Sequence, residues 1–200
     1  MMHQVKIHPT AFIHETVVLY PGVEVGPGAY IGPYCIIGGP AENLDTFPAQ
    51  GLGVEIGPGA VVTGHVTVDS GTTRKTMVGP RSFLMKGAHV GHDAILGVGV
   101  ILSCGAKIGG HAWIMAAANI GLNAVVHQWK VVGQYAMVGM GAVVTKGLEV
   151  EPVKTYAGNP ARLLGINRRW AALVDDVDLM DDILREYELA KKENGPDGVR

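Results

Sequence analysis

Two hundred residues with a net charge of −2 leave room for one domain and an appendage, and they exclude the broad basic field that nucleic acid selects. Two cysteines in that length exclude a disulfide framework. The start lacks a basic segment followed by an apolar run, so no signal peptide is expected and a reducing cytoplasm is the expected location.

From the N-terminal end, a branched apolar residue recurs every sixth position: Ile7, Ile13, Leu19, Val25, Ile31, Ile37. The register breaks over about residues 38–55, a stretch rich in glycine and proline that reads as an extruded loop. It resumes at Ile56, Val62 and Val68, breaks again in a smaller bulge over about residues 70–77, and then runs from Val78 to Val144 without a miss. A small residue such as Ala88, Ala106 or Ala124 stands two places before most of these. A period of six fits neither a helix at 3.6 nor a plain strand at 2. It fits a chain that turns a corner every six residues and sends one branched side chain inward from each flat. Three flats make an 18-residue coil, and stacked coils pair as parallel strands. The expected fold is therefore all-β, a parallel β-helix of about seven coils over residues 1–150. The frequent glycine after the inward residue, as in Ile108-Gly109, is expected to serve the positive φ of the corners.

Ala112 to Val126 is the most apolar stretch, but Asn119 and Asn123 interrupt it in hexad register, so it is a coil and not a membrane span. Cys35 takes an inward small-residue slot, while Cys104 stands alone. Past Val150 the hexads are expected to stop. Residues 151–200 read as an irregular linker followed by a helix whose apolar positions start at Trp170 and recur at helical spacing. That helix is expected to cap the β-helix or to pack on a neighbouring subunit. Aspartates crowd its first half, Lys191 and Lys192 lie near its end, and Gly195-Pro196 should stop it.

The chemistry-bearing residues are histidines. His92, His111 and His127 are separated by one coil plus one residue and by one coil minus two, which stacks them near one corner, and His89 sits on the adjoining flat. Three readings are open: ordinary polar surface, a metal centre, or acid–base chemistry with polar substrate binding. No histidine follows His92 or His111 at the spacing of a three-histidine zinc site, so no metal is expected. Asp93 follows His92 directly.

Three motifs, LMKGAHVGHD from Leu84 to Asp93, GGH from Gly109 to His111 and VHQW from Val126 to Trp129, resemble the UDP-N-acetylglucosamine acyltransferases of lipid A synthesis. AGNPARLLGIN, from Ala157 to Asn167, is similar to that family's linker. The resemblance covers about residues 70–169 well. It implies a left-handed β-helix and a cytoplasmic homotrimer with sites between subunits. It also implies transfer of a 3-hydroxyacyl chain from acyl carrier protein to a nucleotide sugar, with no cofactor beyond the acyl carrier protein or coenzyme A thioester. By the same resemblance His92 is the general base, Asp93 orients it and Gly110 offers the oxyanion N–H. His89, His111, His127, Gln128, Asn167, Arg168 and Arg169 would bind substrate, and Met140 would stand at the ruler position that limits acyl length, glycine there admitting longer chains. The loop here carries Asn43 and Asp45 where the family has an aspartate and a lysine. The alternative function in view is N-acylation of a nucleotide-linked amino sugar from acyl- or acetyl-coenzyme A, with a non-catalytic scaffold behind it.

Overall fold

A computed structural model describes residues 4–194. The chain winds into a triangular prism with three parallel faces of short strands. The first face starts with Lys6–Ile7, the second with Phe12–Ile13 and the third with Val18–Leu19. Most strands hold two residues, one outward and one inward. Partners lie 18 residues apart, as in Val78 with Leu96 and Leu84 with Leu102. Inward residues such as Leu84, Leu102, Ile114 and Val138 have no exposed surface, and Ala88, Ala106 and Ala124 fill the inside of the corners beside them. Burying each of the larger side chains contributes about 1.5–3 kcal/mol. One branched residue per flat therefore specifies the whole stack.

Most corners repeat one backbone pattern, counted from the inward residue. The third residue past it has positive φ, as in Asp93, His111, Asn123 and Trp129. Its N–H donates to the preceding coil, as His111 does to the His92 carbonyl and Trp129 to that of Gly110. In the corners without an insertion the second residue's N–H enters no ladder bond among the described residues, which is why Pro27, Pro58, Pro80 and Pro152 fall there. The glycine directly after the inward residue answers a different need from the one expected. Gly109 does not carry the corner's positive φ; a Cβ on it would stand 2.5 Å from the Gln128 nitrogen of the next coil. Close stacking of coils excludes the side chain.

The register also runs further than expected. Val150 bridges to Val132 and Tyr156 pairs with Val138, so the hexads continue past Val144 into a partial eighth coil. Tyr156 fills the inward slot, 2% exposed, and its hydroxyl accepts from the Glu151 N–H. The strand Lys154–Ala157 then pairs antiparallel with Arg162–Ile166. The stretch expected as an irregular linker is in fact an extra turn and a hairpin, because Tyr156 and Ala161 can still pack on the core below them.

The expected single helix is two. A 3-10 segment, Arg168–Asp175, precedes helix α1, Val177–Glu193, and Asp176 caps α1 by accepting from the Leu179 N–H. Helix α1 lies along the first face of its own chain, and Val177, Leu184 and Leu189 stay exposed on it. Tyr187 and Ala190 pack on Trp113, Met115 and Val131, and Lys191 pairs with Glu149. The expected stop at Gly195 and Pro196 lies outside the described residues.

Both breaks in register emerge on one edge. Strand Val54–Ile56 pairs with Glu24–Val25 at an offset of 31, and Thr76–Val78 with Val54–Ile56 at 22, where an unbroken coil has 18. Both insertions leave the third face and re-enter on the first, so they sit at the corner directly preceding the histidines.

Candidate functional site

The edge between the third and first faces carries His92 and Asp93 on one coil, Gly110 and His111 on the next, and His127, Gln128 and Trp129 on the one after. Asp93 is fully buried. Its φ of +61° is one that aspartate tolerates better than most residues, and it turns the carboxylate in beneath the bulge. There the amides of Thr72, Thr73 and Arg74 and the hydroxyls of Thr72 and Thr73 all donate to it, at 2.7–3.0 Å. Burial alone would raise its pKa. His92 and the three amides outweigh burial and hold the carboxyl well below the usual carboxylate range.

His92 Nδ1 lies 2.8 Å from Asp93 Oδ2. A carboxylate can only accept, so Nδ1 carries a proton, and in the neutral imidazole Nε2 then keeps its lone pair. Nε2 faces Gly110 so closely that a Cβ there would stand 2.8 Å from it. Gly110 is the second residue of its corner, and its N–H enters no backbone ladder bond among the described residues. A basic nitrogen and a spare amide donor thus adjoin one another.

His111 stands edge-on to His92, centroids 4.9 Å apart, and lies flat on Trp129 at 3.8 Å. Its Nε2 is 3.6 Å from Asp93 Oδ2, and its buried Nδ1 has no hydrogen-bond partner among the described residues. Burial pushes its pKa down to about 4, against the pull of Asp93. His89 projects from the third face, with Nδ1 2.8 Å from the Thr67 hydroxyl and Nε2 3.8 Å from Asp69. Burial and then Lys107 lower its pKa. Asp69 is raised to about 6, chiefly by burial and next by the charge of Glu42.

On distance alone His92, Asp93 and His111 could share a cation. The carboxylate oxygens, however, already accept the bulge's donors, and His92 Nδ1 is turned onto them. The geometry is that of an imidazole oriented by a carboxylate.

The residues singled out from the sequence divide among three edges. His92, Asp93, Gly110, His111, His127 and Gln128 share the edge just described. His127 is exposed and its Nδ1 meets the Gln128 carbonyl; the ring stacked on His111 is Trp129. Asn167 sits on the edge between first and second faces, where its Nδ2 donates to the Tyr135 carbonyl, and Arg168 and Arg169 follow, with Arg169 over the Trp170 ring. Met140, 74% exposed, marks the edge between second and third faces. Sequence reasoning passed over Thr72, Thr73, Asp69 and Trp129. The register marks the bulge DSGTTRKT as a place where function tends to sit but assigns no role to its residues, although its threonines and glycine are what an anion cradle needs. In the longer loop Glu42, rather than Asn43 or Asp45, is the acid whose charge reaches Asp69 and His89.

Residues 4–39 match the six-repeat bacterial transferase hexapeptide family. Over 160 residues the chain is 28% identical to an acyl-[acyl-carrier-protein]–UDP-N-acetylglucosamine O-acyltransferase of Alkalilimnicola ehrlichii, covering 70% of this chain and 62% of that protein. Its counterpart in Campylobacter concisus is 29% identical, over 76% of this chain and 59% of that one. The chain thus spans about three fifths of the length of these relatives. The crystal structure of the Francisella novicida UDP-N-acetylglucosamine acyltransferase superposes with a TM-score of 0.68 at 21% identity, covering 97% of this chain and 86% of that one. At that identity the likeness carries the fold, the hexapeptide β-helix read from the register.

Proposed function

We propose that this chain is an acyltransferase that moves an acyl group, 3-hydroxyacyl and short to medium in length, from acyl carrier protein to the hydroxyl of a UDP-N-acetylglucosamine-like nucleotide sugar. The observation that carries this reading is the His92–Asp93 pair with Nε2 facing Gly110. It is supported by the sequence similarity to the acyltransferases of Alkalilimnicola and Campylobacter.

His92 Nε2 accepts the proton of the acceptor hydroxyl as that oxygen attacks the thioester carbon. The carbonyl oxygen gains negative charge and takes a hydrogen bond from the Gly110 N–H. The tetrahedral centre collapses, the C–S bond breaks, and the thiolate leaves with the proton from His92. Ester and free thiol are the products, and the thioester is a co-substrate, so no further cofactor is consumed. Neutral His111 and His89 would hydrogen-bond the sugar, His127 and Gln128 the nucleotide end, and Asn167, Arg168 and Arg169 the phosphates.

In one copy these last three and Met140 stand on edges away from His92. A homotrimer that sets one copy's histidine edge against the other edges of its neighbours would close a cleft, and threefold symmetry makes three such clefts. No helix among the described residues is long and apolar enough to cross a membrane.

The test incubates the protein with UDP-N-acetylglucosamine and acyl carrier protein or coenzyme A thioesters and reads products by mass spectrometry. His92→Ala should lower turnover by about a hundredfold or more. Near-normal turnover in that variant would remove His92 as base, and an amide product from an amino sugar would overturn the hydroxyl acceptor. Sedimentation should give three copies per particle; an active monomer would remove the shared cleft.

A further inference from the structure

The four extra residues between the third and first faces, around Thr72 and Thr73, have no counterpart in the corners that follow. Their placement is specific. Three successive amides and two hydroxyls converge on one buried carboxylate, that of Asp93, 19–21 residues further along the chain. No other described carboxylate receives such a set. Asp93 is held from its own backbone as well, since its N–H donates to the Thr76 hydroxyl at 2.8 Å.

A structural role alone does not account for the hydroxyls. The three amides already form an anion-binding concavity. Thr73 is exposed, yet its hydroxyl is turned inward onto Asp93 Oδ1 at 2.9 Å. The Thr72 hydroxyl meets Oδ2 at 2.7 Å, the same oxygen that receives His92 Nδ1. The donors fix the carboxylate in plane and in charge state. The carboxylate in turn fixes which imidazole nitrogen carries the proton. An unanchored imidazole would divide between two tautomers, and only the one with a free Nε2 faces Gly110.

We propose that the bulge is a tautomer lock, with Thr72 and Thr73 as positioning residues that hold Asp93 so that His92 presents an unprotonated Nε2. The proposal rests on the reading of His92 as general base for its kinetic consequence, but the lock itself is a property of the protein without substrate.

The experiment uses the full chain, with Thr72→Val, Thr73→Val, the double variant and the two serine variants. In two-dimensional 15N NMR of the imidazole nitrogens, the unsubstituted protein should show a single His92 tautomer protonated at Nδ1. The double variant should show both tautomers in exchange, and the serine variants, which keep the hydroxyl, should restore one. In kinetics the double variant should lose turnover by roughly tenfold or more with KM for either substrate unchanged, the scale of losing hydrogen bonds to a charged group. The acid limb of its turnover–pH profile should move. Thr73→Val, at an exposed position, keeps the test open if the double variant does not fold. A single Nδ1-protonated tautomer and unaltered turnover in the valine variants, with His92→Ala inactive, would overturn the lock. If His92→Ala stays active, the assignment of the base fails, and the imidazole spectra alone still decide the lock.

Discussion

His111 and Trp129 lie face to face, ring centroids 3.8 Å apart and 5° from parallel, at the same corner position of successive coils. Asp93 occupies that position one coil earlier. All three adopt the left-handed backbone, φ +61°, +59° and +64°, which non-glycine residues hold only when their surroundings favour it. The stack stands beside His92, to which His111 is edge-on. Trp129→Ala should destabilise the protein by about 1 kcal/mol, the scale of an aromatic pair beyond its area burial, and let the His111 pKa return toward its ordinary value. Trp129→Phe should keep most of both. Urea denaturation and histidine NMR titration read the two effects, and an unchanged His111 titration in the alanine variant would contradict this account.

Gly110→Ala places a methyl 2.8 Å from His92 Nε2. The methyl forces the ring to shift, and the shift disturbs the Nδ1 bond to Asp93. Turnover should fall by about a hundredfold, the effect of displacing a reacting group by roughly an ångström, with the fold intact by circular dichroism. A variant as active as the parent would show that nothing reacts in front of Nε2.

The pH dependence of stability should carry two opposed contributions. His111 has a folded pKa lowered by burial to about 4 from 6.5. Between those values the unfolded state binds more protons, so its contribution is complete above about pH 6.5 and is lost as pH falls toward 4. Asp69 is raised to about 6 from 3.8, mainly by burial. Its contribution is complete below about 3.8 and is lost as pH rises through 6. Asp69→Asn should therefore raise Tm at pH 7–8, with the gain fading as pH drops through 6 toward 4. His111→Asn should flatten the loss of stability between pH 6.5 and 4. Thermal scans at half-unit pH steps check both, and a gain from Asp69→Asn that persists at pH 3.5 would show that its cause is not the carboxyl's charge.

Met140 projects from a corner and is 74% exposed in a single copy, so it can limit an acyl chain only against a neighbour's surface. On the proposed reading Met140 ends a slot for the acyl chain, and Met140→Gly should shift preference toward longer acyl donors. Competition among thioesters of mixed length compares it with the parent. An identical length profile would take Met140 out of the site.

The hexad register determined the prism by itself. Each turn of the code is local: an inward residue, a corner whose second N–H is spare, a third residue at positive φ, and then the next flat. Such a pattern survives in one dimension, and it placed His92 and His111 on one edge before any coordinates. Tyr156 shows where the pattern ceased to be legible, because a tyrosine in an inward slot does not look like a hexad until Val138 is seen beneath it. The tertiary structure decided the rest. Hydrogen bonds from Thr72, Thr73 and Arg74 to Asp93 depend on donor direction across about twenty residues, and no periodicity encodes direction. Ring stacking chose Trp129 over His127 as the neighbour of His111, a matter of one corner position. The path of the longer loop brought the charge of Glu42 to Asp69 and His89, while Asn43 and Asp45, the acid-loop positions marked from the sequence, bond to one another. An insertion breaks the register that made everything else readable, so the segments that hold Asp93 and face Asp69 are the ones whose placement only the folded chain could fix.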